Sequence, residues 1–240
     1  MSFFVKSVGA SYGKNVGSIR YPVLRGLLGA YIFDSVVNQL VNWAPGGSPL
    51  TKVGTPTTNP LSVTVSGGTN YFDTGVLETS DMTLVAIFKK ENATSQTSVF
   101  GNRNSDAAVA SIGTSINKYA NLAHLEMGQT GGASAVQHSL AGVADGAAVF
   151  AAVRAIGSTT VIRGSMGHGG TLVHGDAGTG YVRQVEPAVT MKVGPGPGIA
   201  WANACDIYAA AVHNLVLSDE EISQVYTFMR TKYAALGVTL

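Results

Sequence analysis

One stretch of this chain carries a helical period, and it lies in the last tenth. Ser218 stands where an N-cap belongs, Glu221 three residues on completes a capping box, and Asp219 and Glu220 put negative charge where the helix dipole favours it. Ile222, Val225, Tyr226, Met229, Tyr233 and Leu236 then recur at the spacing of one buried helical face. Arg230 and Lys232 occupy the last turns, and Gly237 supplies the stop. The spacing predicts a helix over 218–233. Everything before it reads as short apolar or alternating runs cut by Gly, Asn, Pro and Asp. Such a chain cannot build an α/β crossover fold, which needs helices between its strands.

The strand text is uneven. Leu27 to Phe33 is an apolar run of strand length, and Leu61, Val63 and Val65 alternate with Ser62 and Thr64. Asp81 to Phe88 is apolar on both faces, as a strand covered on both sides must be. Ser98 to Phe100, Ala108 to Ile112 and Leu122 to Met127 read as further strands, and Ala147 to Val153 with Thr159 to Arg163 as a hairpin. Val189, Met191 and Val193 alternate with Thr190 and Lys192, and Ile207 to Leu217 completes the set. Gly164 to Gly180 reads as a flexible connection, and Gly194 to Gly198 as a loop. The pattern predicts an all-β sandwich or jelly roll with one C-terminal helix. Residues 1–26 develop no period and read as an N-terminal arm, with 27–240 as a single domain.

Charged residues are 12% of the chain, about half of the ~25% of ordinary soluble domains, and net charge is +1. That balance offers no footprint for nucleic acid or an anionic membrane. Apolar runs fall short of the ~20 residues of a membrane-spanning helix. The opening MSFFVKSVGA lacks a basic segment followed by an apolar core, so no secretion signal is expected and synthesis in a cytoplasm is. The single cysteine, Cys205, excludes an internal disulfide and is expected to be a small buried hydrophobe. Interface cores are depleted in charge, so low charge beside a mean hydropathy of +0.22 predicts a homo-oligomer. The arm and the glycine-rich loops are the expected contacts.

Sugar recognition pairs an aromatic platform with directional hydrogen bonds. Trp43, Trp201, Tyr119 and Tyr181 are the candidate platforms, near Asn42, Asn203, Asn117 and Asp176 respectively. No catalytic, metal or cofactor residues are predicted. Glu126 stands alone in its run, and Glu78, Glu91 and Glu186 are scattered near turns, whereas retaining hydrolysis needs two carboxyls ~5 Å apart. His168, His174 and Asp176 fall in the glycine-rich stretch, where the sequence fixes no geometry for a metal. Asp73, Asp106, Asp145 and Asp176 show no calcium-loop spacing. His124 and His213 sit in strand patterns as packed residues, and no Ser-His-Asp constellation is legible.

Several segments, taken in order, resemble the laminin-G-like jelly rolls of the concanavalin A-like lectin/glucanase superfamily. They are Leu28-Gly29-Ala30-Tyr31-Ile32-Phe33-Asp34, Tyr71-Phe72-Asp73-Thr74-Gly75, Met82-Thr83-Leu84, Met191-Lys192-Val193-Gly194, Ile207-Tyr208 and Leu217-Ser218-Asp219-Glu220-Glu221-Ile222. The likeness covers residues 27–236. It implies a two-sheet antiparallel jelly-roll sandwich with the last helix packed on it. Among members of that superfamily, the glycine-rich ones without a signal peptide often resemble bacteriophage or prophage virion proteins. The resemblance therefore implies a non-enzymatic virion subunit in capsid decoration or tail attachment, with other virion proteins as partners. A carbohydrate-binding module that meets host surface glycans is the alternative, and a glycan hydrolase the second.

Overall fold

In a computed structural model the chain is described over residues 21–35, 39–92, 94–103, 112–129, 132–157, 161–178, 182–195 and 203–240. Those residues form two antiparallel sheets and one helix. In the first sheet the order is β13 (Thr171–Gly178), β12 (Val161–His168), β11 (Ala148–Ala155), β6 (Met82–Lys89), β15 (Cys205–His213), β4 (Val63–Val65) and β3 (Thr57–Thr58), with β1 (Leu27–Ile32) also paired to β15. In the second it is β10 (Gly132–Ser139), β9 (Leu122–Gln129), β8 (Thr114–Tyr119), β7 (Gln96–Gly101), β14 (Thr190–Val193), β5 (Tyr71–Leu77) and β2 (Thr51–Val53).

The inner faces of both sheets build one core. Leu84, Ala86, Phe88, Val149, Ala151 and Val153 from the first sheet meet Phe72, Phe100, Ile116, Leu125, Met127 and Val193 from the second. Side chains alternate along a strand, so β6 and β11 carry a second apolar set on their other face. Val85, Ile87, Phe150 and Ala152 point outward and are covered by the helix α1 (Asp219–Ala234) through Ile222, Val225, Tyr226, Met229 and Tyr233. This double cover is why Asp81 to Phe88 reads as apolar on both faces.

The capping box at Ser218 is present: the Ser218 side chain accepts from the Glu221 amide, and Glu221 Oε2 accepts from the Ser218 amide at 2.8 Å. Arg25 reinforces it with a bond to the same carboxylate at 2.5 Å. Gly237 adopts a φ of 83°, which L side chains rarely do, and so ends the helical run.

Three expectations need correction. Tyr21 and Val23 are buried with the α1 cluster, so the packed body begins no later than 21 rather than at 27; residues 1–20 lie outside the described residues. Gly164 to Gly180 is mostly strand, forming the far part of β12 and all of β13. Its glycines mark close approach rather than freedom: a Cβ on Gly164 would meet Leu125 and Val136 side chains at 2.7–2.9 Å, and one on Gly167 the Tyr226 ring at 2.5 Å. Finally, β8 and β10 are strands that the sequence pattern does not announce. Ala108 to Ser111 of an expected strand lie outside the described residues.

Candidate functional site

The two outer faces of the sandwich differ in chemistry. The first sheet's is sealed by α1. On the second sheet, Ile116, Ala123, Leu125 and Met127 point into the core, so alternation turns Ser115, Asn117, Tyr119, His124 and Glu126 outward. Glu126 and Ser115 are register partners, as are His124 and Asn117. One polar cluster results. Asn117 Nδ2 donates to Glu126 Oε2 at 2.6 Å and to Ser115 Oγ at 2.9 Å. Arg103 pairs with Glu126 Oε2, and His124 Nδ1 lies 3.2 Å from Glu126 Oε1. The Tyr119 and His124 rings stand 5.3 Å apart at the half-exposed rim.

The same face continues across β7, β14 and β5. Ser98, opposite Asn117, is buried and its hydroxyl has no hydrogen-bond partner. Lys192 is paired in register with Asp73, its Nζ 3.9 Å from the carboxylate and 5.6 Å from the Tyr71 ring centre. Burial lowers the Lys192 pKa, and the Asp73 charge opposes that shift. Asp73 also accepts from Thr190 Oγ1 and from the Gly75 amide, both at 2.8 Å. Each charge on the face thus has a counter-charge beside it.

The predicted platforms divide. Tyr119 lies on this face, two residues from Asn117 as its strand spacing requires. Trp43 does not: it packs against the α1 cluster with its indole N–H buried and unpaired. Its neighbour Asn42 is spent on backbone bonds to Ala30, Ala44, Leu28 and Ser48. Asn203 is exposed, and its side chain and backbone both bond the Gln96 backbone at the start of β7. Trp201 and Tyr181 lie outside the described residues. Asn117, expected beside Tyr119, is on this face with it, and the residues missed are Glu126 and His124. The signal was there: Ala123, Leu125 and Met127 alternate with His124, Leu122 and Glu126, which places Glu126 and His124 on one face.

Two other clusters bear on chemistry. Glu78 and Glu186, scattered in sequence, meet in a buried network: Glu78 accepts from Arg183 at 2.5 Å, Thr114 at 2.5 Å, Asn102 at 3.3 Å and the Glu186 amide at 2.8 Å. It ties three connections to the sheet and is sealed from solvent. Ser165, His174 and Asp219 also come together, against expectation, but not as a triad. Ser165 Oγ at 2.8 Å and the Asp219 carboxylate at 3.5 Å both face Nδ1 of His174, whereas a relay needs one on each nitrogen. Buried Arg154 bonds both Ser165 and Asp219, which makes the group a clamp on the α1 N-terminus.

His168 and His174 are set in a hairpin rather than free; His168 Nδ1 donates to the Ala148 carbonyl at 3.0 Å, so the two do not share a partner. Among the described residues no group of three His, Cys, Asp or Glu side chains is placed to hold a metal. Cys205 is buried, and burial pushes its thiol pKa well above the ordinary range. No described helix is long and apolar enough to cross a membrane.

No protein-family model matches the chain, and no curated protein does. Solved structures do. The receptor-binding domain of a botulinum neurotoxin C/D mosaic serotype superposes with a TM-score of 0.63 at 10% identity, over 85% of this chain and 52% of that one. The serotype D binding domain gives 0.63 at 9%, over 85% and 52%. The binding domain of neurotoxin DC in complex with SialylT gives 0.58 at 10%, over 85% and 52%. At such identity the likeness shows the fold alone, a β-sandwich of two antiparallel sheets. This chain spans about half the length of those domains. None of the structures named here is a virion protein, so the virion assignment gains no support from them.

Proposed function

We propose that the chain is a carbohydrate-binding module whose binding surface is the polar outer face of the second sheet. One observation carries this reading: with the first sheet sealed by α1, the outer side of the second holds a buried polar floor of Ser98, Ser115, Asn117 and Glu126 beneath the half-exposed rings of Tyr119 and His124. Ser98 supplies an unused buried hydroxyl there, Asn117 and Glu126 a hydrogen-bonding floor, and Tyr119 with His124 a flat rim. Sugar sites combine such an apolar plane with directional polar groups. Because Arg103 neutralises Glu126 and Lys192 neutralises Asp73, the face favours a neutral, hydroxyl-rich glycan. The neurotoxin structures add support by analogy for sugar binding alone and not for a neutral sugar, since one is in complex with SialylT and another is described by an interaction with two ganglioside molecules. Those descriptions belong to whole domains about twice this length.

The hydrolase reading has less support. The other carboxylate on the strands of this face is Asp73, on β5, four strands from β9. At ~4.8 Å per strand that is about 19 Å, far beyond the ~5–9.5 Å separating paired glycosidase carboxylates. A virion subunit built on shape alone would leave the polar face without a ligand.

The test is a glycan array probed with the parent protein, Tyr119→Ala, Glu126→Gln and Trp43→Ala. Binding by the parent, lost in the first two variants and kept in a folded Trp43→Ala, is the expected result. A parent that binds nothing, or binding that only Trp43→Ala removes, overturns the assignment of the face.

A further inference from the structure

The edges of the two sheets are not alike. On one side the sheets end in very short strands, β3 with two residues and β2 with three. On the other they end in β13 and β10, each eight residues long. Proteins protect such edges with lysines, prolines, bulges or short strands, because an open edge is a template for another strand. Here those devices are missing. Both edges keep an unbroken one-to-one register with their inner neighbours over eight pairs. Neither contains proline, and Asp176 is the one Asp, Glu, Lys or Arg in the two strands. From Thr171 to Ala177 of β13 the residues are half-buried or exposed, Val173 among the exposed ones, so this edge is open to solvent. Among the described residues no backbone hydrogen bond reaches the outer edge of either strand.

The two edges also lie side by side. A Cβ on Gly175 of β13 would touch Val136 and His138 of β10 at 3.4 Å. They form one surface where both sheets stop together.

We infer that this surface is an interface between two copies of the chain, in which β13 and β10 of one copy continue the two sheets of the other. The dimensions select a second copy over a lone peptide. Eight residues at ~3.4 Å make a strand about 27 Å long, and sheets stack ~10 Å apart. With side chains the surface is on the order of 500 Å² per copy, hence about 1,000 Å² in total, which reaches the ~1,000 Å² of a specific interface. A single added strand covers one edge and leaves the other open. The one charge on the two edges has its counter-charge within the chain: Asp176 lies 3.6 Å from Arg163 on the neighbouring strand, so no unpaired charge opposes a second copy. The inference is independent of what the polar face binds, since the copies meet at the edges of β13 and β10 while that face lies on strands inside the sheet.

Sedimentation velocity of the full chain from 1 to 100 µM tests it, with Val173→Lys/Ser139→Lys as the variant that gives both edges a charge. The parent is expected at twice the 24.7 kDa chain mass, and the variant at the monomer mass with its dissociation constant raised at least tenfold. A parent that stays monomeric at 100 µM, or a variant that dimerises as tightly as the parent, overturns the inference. Amide exchange on the parent covers the case of a misfolded variant. Slow exchange of the outward-facing amides of 132–139 and 171–178 supports the interface, and exchange there as fast as at the short edges β2 and β3 refutes it.

Discussion

Three glycines of one glycine-rich hairpin should respond to the same substitution in different ways. On Gly167 a Cβ falls 2.5 Å from Tyr226 Cε2 and 2.8 Å from Cδ2, inside a rigid ring that α1 holds against the sheet. On Gly164 it falls 2.8–2.9 Å from Cγ1 and Cβ of Val136, whose branched side chain has little freedom to move. On Gly175 the nearest atoms lie at 3.4 Å, an ordinary contact. None of the three has a positive φ, so alanine meets no backbone strain and the space alone decides. Overpacking a filled core costs ~1–3 kcal/mol. Gly167→Ala and Gly164→Ala should each lose about 2 kcal/mol, and Tm should fall by about 4–8 °C at the ~2–4 °C per kcal/mol of a domain this size. Gly175→Ala should instead be neutral or gain ~0.5 kcal/mol, because alanine reduces the freedom of the unfolded chain. Urea unfolding reads all three as a shift of midpoint at constant slope. A Gly167→Ala protein as stable as Gly175→Ala would mean that α1 does not seat on β12.

Three further outcomes are expected. Ile222→Asp buries an unpaired carboxylate in a fully covered position and should cost more than about 4 kcal/mol, and an unchanged melting temperature would show that this helical face meets water. Ser218→Ala removes the cap and should cost about 1 kcal/mol in the same assay; no loss would show that the box contributes nothing. Burial lowers the pKa of His213 and His138 in the fold. Below the unfolded value of ~6.5 the unfolded chain therefore binds more protons than the folded one, and stability falls with pH through the folded values. The urea midpoint should drop between pH 7.5 and 5.5, and less so in His213→Asn, whose amide keeps the bond to the Arg25 carbonyl; a midpoint that does not drop refutes the reasoning.

The helix, β6, β15, β1 and β4 are legible in the chain because each carries its own period. Ser218 and Glu221 meet three residues apart, and Leu84 to Phe88 is apolar at every step, so no distant partner is needed to read them. The strands β8, β10 and β13 are not legible. Lys118 of β8 turns inward, where its Nζ donates to the Asn92 and Ser95 carbonyls at 2.5 and 2.6 Å. No local rule predicts a lysine on a core-facing position. The glycines of β12 and β13 look like a loop until Val136 and Tyr226 are seen filling the space a Cβ would take.

The candidate site divides along the same line. Period 2 in 122–127 was enough to put His124 and Glu126 on one face, and the spacing Asn117 to Tyr119 does the same for β8. Which faces adjoin is a matter of register, which is set by pairings across tens of residues and by what α1 covers. Sequence by itself determined the fold class, the capped helix and its apolar stripe, since these follow from neighbours within a few positions. Tertiary structure alone decided that Trp43 is a packed residue, that Glu126 has a cation beside it, and that two long edges end together. Those facts depend on which strands lie side by side, and local periodicity does not encode that.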